Sequence, residues 1–193
     1  MESCEIDVIA TGDEIIFGQL VDTNSAWIAK LSTEQGAQVR RISCIGDRLE
    51  DIVQAIQRGI SDGRHIVVMT GGLGPSQDDL TVEALAKALE REVIFDETAT
   101  QMLEARCTEF SIQLTDRRRR MTRSVTGATA LENLIGLAPG ILVISDRCTI
   151  IALPGIPKEM KPMFKQYVLP LVEENTKKKS AALSLILHIS LLD

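Results

Sequence analysis

The chain has 193 residues, 45% hydrophobic and 25% charged, which supplies apolar material for one core and excludes a disordered or low-complexity polymer. Its formal net charge of -6 weighs against a nucleic-acid partner, whose binding is driven by Lys and Arg displacing counterions, and favours a small molecule or a protein. Cys4, Cys44, Cys107 and Cys148 lie far apart without a CxxC pair, and the histidines are His65 and His188, so neither a zinc cluster nor a disulfide scaffold is indicated. The cysteines read as small buried hydrophobes.

The acidic opening Met1-Glu2-Ser3-Cys4-Glu5 lacks the basic and apolar regions of a secretory signal, which leads to the expectation of a cytoplasmic protein. Residues 6–10 read as a strand. It runs into Thr11-Gly12-Asp13-Glu14, a glycine joined to two acids where the strand ends. Farther on, Asp22, Thr23 and Asn24 precede a helix over residues 24–35, and they serve either as its cap or as groups facing a ligand. A second strand is expected over residues 37–42. A helix follows over residues 49–60, where Leu49, Ile52, Val53, Ile56 and Ile60 form one apolar stripe.

Residues 65–69 are almost wholly apolar, as a central parallel strand buried on both faces requires. Directly after them comes Thr70-Gly71-Gly72-Leu73-Gly74-Pro75-Ser76-Gln77-Asp78-Asp79-Leu80-Thr81. Glycines let backbone N–H groups approach a ligand closely, and a loop between a strand end and a helix start directs them where the helix dipole also favours an anion. The adjacent Asp78 and Asp79 suit a divalent cation held beside phosphate, an activated water, or a proton acceptor. Alternatively, one of them caps the helix expected over residues 81–90, and the glycines make only a tight turn.

A further helix is expected over residues 97–110. The basic run at residues 117–120, with Arg123, carries no interleaved aromatics and reads as a solvated helix face. Three short strands are expected over residues 127–131, 140–144 and 149–153. Gly136, Pro139 and Gly140 mark one loop beside them, and Pro154, Gly155 and Glu159 another, each a rigid turn or part of a site. A helix with Pro157 in its first turn is expected to about residue 174. Alternating strands and helices imply an α/β fold with a mostly parallel sheet, whose ligands bind at the carboxyl edge. The apolar run at residues 181–192 is shorter than the about 20 residues that span a bilayer, so no membrane partner is expected.

Four spaced motifs, "TGDEIIFGQLVDTNSAWIAKL" from Thr11, "TGGLGPSQDDLT" from Thr70, "GLAPG" from Gly136 and "LPGIPKEMKPMF" from Leu153, resemble the amino-terminal domain of the competence/damage-inducible protein CinA family, itself similar to the molybdopterin-binding MoaB/Mog fold. The resemblance implies a three-layer α/β/α sandwich over residues 1–171. It implies that residues 172–193 form a linker and the start of a missing or truncated carboxyl-terminal region, where many members carry a nicotinamide-nucleotide amidase. Some members hydrolyse ADP-ribose to AMP and ribose 5-phosphate with a divalent metal. By resemblance, Asp78 and Asp79 would bind Mg, Mn or Co, and with Asp13 and Glu14 would do the chemistry. Thr11, Gly12, Asp22, Asn24, Thr70, Gly71, Gly72, Leu73, Gly74, Pro75 and Thr81 would line the ligand, together with the two late loops. The alternatives are a module that binds molybdopterin or a nucleotide without hydrolysing it, and an oligomerising scaffold, the family's domain being one that self-associates as a homodimer or larger assembly. Many bacterial members have Thr where Asp13 stands and Pro where Ile156 stands.

Overall fold

Parallel strands buried on both faces need helices on both sides, and the chain supplies them in alternation. The computed structural model describes residues 4–145 and 148–176. In chain order the elements are β1 (Glu5–Thr11), α1 (Asp13–Ile16), α2 (Thr23–Glu34), β2 (Gln38–Ile45), α3 (Leu49–Ser61), β3 (Ile66–Thr70), α4 (Thr81–Leu89), β4 (Val93–Phe95) and α5 (Glu97–Glu109). They continue as α6 (Asp116–Arg119), β5 (Arg123–Val125), β6 (Thr129–Leu131), β7 (Gly140–Ser145), β8 (Cys148–Leu153) and α7 (Pro157–Met163). A π-helical turn, Phe164–Val168, follows α7 directly, and the helix then runs on to Thr176. Pro162 removes one hydrogen-bond donor just before that turn.

The main sheet has the order β2-β1-β3-β8-β7-β6. Strands β2, β1, β3 and β8 run parallel, whereas β7 and β6 are added antiparallel. Alternate side chains of β3 feed two cores. Val67 and Met69 pack under α3, α4 and α5 with Ile52, Ile56, Leu85 and Leu103. Ile66 and Val68 pack on the other face with Ile28 of α2 and Met160, Phe164 and Val168. The result is the three-layer α/β/α sandwich with a mostly parallel central sheet that the motif resemblance implied.

Several local expectations are corrected. The segment after β1 forms one helical turn, α1, instead of open loop. The two-stranded antiparallel sheet of β4 and β5 was not foreseen, since three residues are too few for a period to register. The strand expected from residue 127 starts at Thr129, because Gly127 has φ 75° in the preceding turn. Val172 is fully buried in the second core, so the packed unit continues past the boundary expected at residue 171. The apolar run at residues 181–192 lies outside the described residues. Cys4, Cys107 and Cys148 are buried as expected, with burial pushing the Cys148 thiol up to about 11, but Cys44 is exposed. Among the described residues no helix is long and apolar enough to cross a membrane.

Candidate functional site

Strands β1, β3 and β8 all end at the same edge of the sheet, and the loops that follow them converge there. Asn24, at the second position of α2, ties these loops together. Its Nδ2 donates to Thr70 Oγ1 at 3.0 Å and to the Gly155 carbonyl at 2.7 Å. A carbonyl can only accept, which fixes the amide orientation and leaves Asn24 Oδ1 buried without a partner. Thr11 Oγ1 is likewise buried and unpartnered.

The glycine loop needs its glycines. Gly71 and Gly72 have φ of 103° and 66°, and a Cβ on Gly71 would lie 2.5 Å from the Thr11 carbonyl. Thr81 Oγ1 donates to the Gly71 carbonyl at 2.9 Å, and the Gly71 N–H donates to the Leu153 carbonyl at 3.0 Å, so the loop is pinned from below and from the side. Gly72, Leu73 and Gly74 line a cavity of about 690 Å³.

Most of the residues singled out in the sequence meet at this cavity. Thr11, Glu14, Asp22, Asn24 and Thr70 line one side. Gly72, Leu73, Gly74, Pro75 and Asp79 line a second, while Gly136, Pro154, Gly155 and Glu159 complete it. The others do not face it. Gly71 and Thr81 are buried supports of the loop, whereas Gly12, Pro139 and Gly140 are buried in the framework. Asp13 turns away: its Oδ1 accepts from the Asp47 N–H at 3.0 Å, and its own N–H donates to Asp47 Oδ2 at 3.2 Å.

The paired acids part company. Asp79 Oδ2 accepts from the Ser76 N–H at 2.7 Å and faces the main cavity, whereas Asp78 lines a neighbouring cavity of about 560 Å³. Neither caps α4, which has no side-chain cap. Asp22 is the cap of α2, accepting from the Ser25 N–H at 2.9 Å, and Glu159 Oε2 accepts from Asn133 Nδ2 at 2.7 Å. The Asp79, Asp22 and Glu159 carboxylates therefore already hold the framework, whereas among the described residues the Glu14 carboxylate has no such tie. No three of His, Cys, Asp or Glu among the described residues cluster so as to hold a metal on their own.

Residues 7–174 match the family described as "Probable molybdopterin binding domain". The chain belongs to this molybdopterin-binding domain family.

A protein CinA of unknown function from Thermoplasma acidophilum has a similar crystal structure, with TM-score 0.79 and 35% identity over 86% of this chain and 98% of that one. A protein of Sulfurisphaera tokodaii is 37% identical over 97% of the chain and 72% of its own length. The fold is shared with the molybdopterin biosynthesis enzyme MoaB of Thermus thermophilus at TM-score 0.59 and 19% identity, covering 88% and 96% of the two chains. The chain spans 62% to 72% of the length of the archaeal relatives it matches.

Around these two cavities, sequence reasoning missed the basic helix. Arg118, on α6, lines the main cavity with Met121, and its Nη1 donates to the Gln113 carbonyl at 2.7 Å. Arg117 and Arg120 line the neighbouring cavity. The run of four arginines therefore does not form the simple solvated face it suggested. Only the tertiary position of α6 and the turn after it, beside the Pro75–Asp79 loop, assigns three of the four arginines to a cavity. The apolar wall contributed by Ile15, Leu20, Leu137 and Ala138 was missed as well.

Proposed function

We propose that the main cavity binds a phosphate-bearing pterin or nucleotide, with the ring between its apolar walls and the phosphate at the Gly72–Gly74 amides. The observation that carries this reading is the pair of buried, unpartnered oxygens, Thr11 Oγ1 and Asn24 Oδ1, in two residues that line a cavity large enough for such a molecule. A buried acceptor left unpaired is costly, so Asn24 Oδ1 calls for a ligand N–H or O–H, which pterins, purines and ribose all carry. Molybdopterin fits this donor set in kind: a hydrogen-bonding ring system and one phosphate. The name of the matched family and the similarity to MoaB support the same reading.

Calorimetric titration with a phosphorylated pterin and with AMP tests it. Binding that weakens at least ~10-fold in Asn24→Leu, the loss of one or two hydrogen bonds, is the expected result. Failure of the folded wild type to bind either compound, with or without Mg, would sink the proposal.

A second reading, metal-dependent hydrolysis of ADP-ribose to AMP and ribose 5-phosphate, is favoured by the charge of the cavity. Glu14, Asp22, Asp79 and Glu159 face it against Arg118 alone, so a diphosphate would need a cation to enter. Glu14 and Asp79 are hard oxygen donors, and a Mg, Mn or Co ion held by them would draw its other oxygens from the ligand and water. Such an ion would neutralise charge on the phosphates. Were Asp79 alone to hold the ion, Glu14, whose carboxylate holds no framework bond, would accept the proton from the attacking water. Chromatographic detection of AMP released from ADP-ribose, with each metal in turn, decides between binding and hydrolysis. Turnover by the wild type that disappears in Glu14→Gln supports hydrolysis, while tight binding without turnover leaves the binding module.

A further inference from the structure

The second cavity lies on the far side of the glycine loop and belongs to none of the roles above. Ser76, Gln77, Asp78, Asp116, Arg117 and Arg120 line it, and Pro75 lines both cavities, so the two adjoin around that residue. Arg117, on α6, and Arg120, in the turn directly after it, are three residues apart and both line the cavity. Among the described residues neither has a carboxylate within salt-bridge distance, although Asp78 and Asp116 share the cavity. Arg120 Nη2 donates to the Ser76 carbonyl at 3.3 Å, while its Nε is buried without an acceptor. A guanidinium without a carboxylate partner holds an oxyanion by charge-assisted, often bidentate contacts through the N–H groups that face the cavity. The opposite acids accept hydroxyl donors.

We infer that this second cavity is a subsite for a phosphoryl group carried on a hydroxylated fragment, with Arg117 and Arg120 on the oxyanion and Asp78 and Asp116 on the hydroxyls. The inference deepens the reading of the main cavity and rests on it for one source of the oxyanion, the far end of a ligand that reaches around Pro75. The other source is a free oxyanion. Arg118 on the main cavity and Arg117 and Arg120 on the second make α6 a basic post between the two.

Calorimetric titration of the intact chain with AMP, ADP-ribose and inorganic pyrophosphate separates the cases. The proteins compared are the wild type, Arg117→Gln and the double variant Arg117→Gln/Arg120→Gln. If the oxyanion is the far end of an extended ligand, ADP-ribose binds the wild type at least ~10-fold more tightly than AMP, and the double variant erases that margin while AMP affinity is unchanged. If it is free, pyrophosphate binds wild type already saturated with AMP, and the double variant loses it. Arg117→Gln keeps the contact between Arg120 and Ser76, so a partial loss in that variant shows that the effect is not collapse of the loop. Equal binding of AMP and ADP-ribose without pyrophosphate binding overturns the inference and leaves the main cavity's reading standing, as do affinities that survive both variants. Pyrophosphate binding lost in the double variant, with no nucleotide binding at all, upholds the inference and narrows the reading of the main cavity to a phosphorylated pterin. Binding of none of the three overturns the inference, and the pterin titration then decides the main cavity by itself.

Discussion

Asn24 shows how one side chain can be structural and functional at once. Its Nδ2 spans the ends of β3 and β8, while its Oδ1 is buried without a partner. Replacing it by Ala removes both donors and leaves the Gly155 carbonyl without this bond, so the substitution is expected to cost about 1 to 3 kcal/mol, read by urea unfolding monitored by circular dichroism. Glycine is equally constrained at position 72. Ala there must hold a φ of 66°, with its Cβ against Thr81 Oγ1. A residue such as Asp22 was ambiguous in the sequence because capping and ligand contact call for the same chemistry, and here it does both: it caps α2 and lines the cavity.

Among the elements, α2 depends on that cap. Asp22→Ala is expected to destabilise the protein by about 1 kcal/mol, the usual worth of an Asp cap, while Asp22→Ser, which can still accept from the Ser25 N–H, recovers most of it in thermal melts. Long elements were legible because their periods are long enough to see. The apolar stripe of α3 and the continuous burial of β3 were read directly from residue order. Short elements were not: α1, β4 and β5 owe their shape to neighbours, β4 pairing only with β5. The same reasoning explains the arginines of α6. Sequence spacing placed them on one helix but could not say that the Pro75–Asp79 loop would divide them between two cavities.

For the whole molecule, a buried ion network ties the amino edge of the sheet together. Asp7, 2% exposed, accepts from Arg64 Nε at 2.8 Å and from Arg41 Nη1 at 2.9 Å, and both arginines reach Asp62. Arg64→Met leaves Asp7 with Arg41 as its charge partner and is expected to cost about 2 to 4 kcal/mol in denaturant unfolding, less than a fully orphaned carboxylate would. Acid should act through the same network. The hydrogen bond from Arg41 and the nearby arginines hold the Asp62 carboxyl below its usual range. Its contribution is therefore fully present above the unfolded carboxyl value, about 3.9, and is lost as pH falls through its lower folded value. Asp47 behaves oppositely. Burial first, and then the charges of Asp13, Glu14 and Asp78, push its carboxyl up, so it opposes folding at neutral pH and is relieved on protonation. Asp47→Asn should raise the melting temperature at pH 7 and have little effect near pH 3; no gain at pH 7 would count against that electrostatic picture.

The bridge from Asn24 to Thr70 and Gly155 joins parts of the chain 46 and 131 residues apart. Amide protons at the ends of β3 and β8 should consequently exchange with solvent at one common rate, because opening either loop releases the other. A molecule seated there would slow both together, as a keystone stills the stones on either side of it.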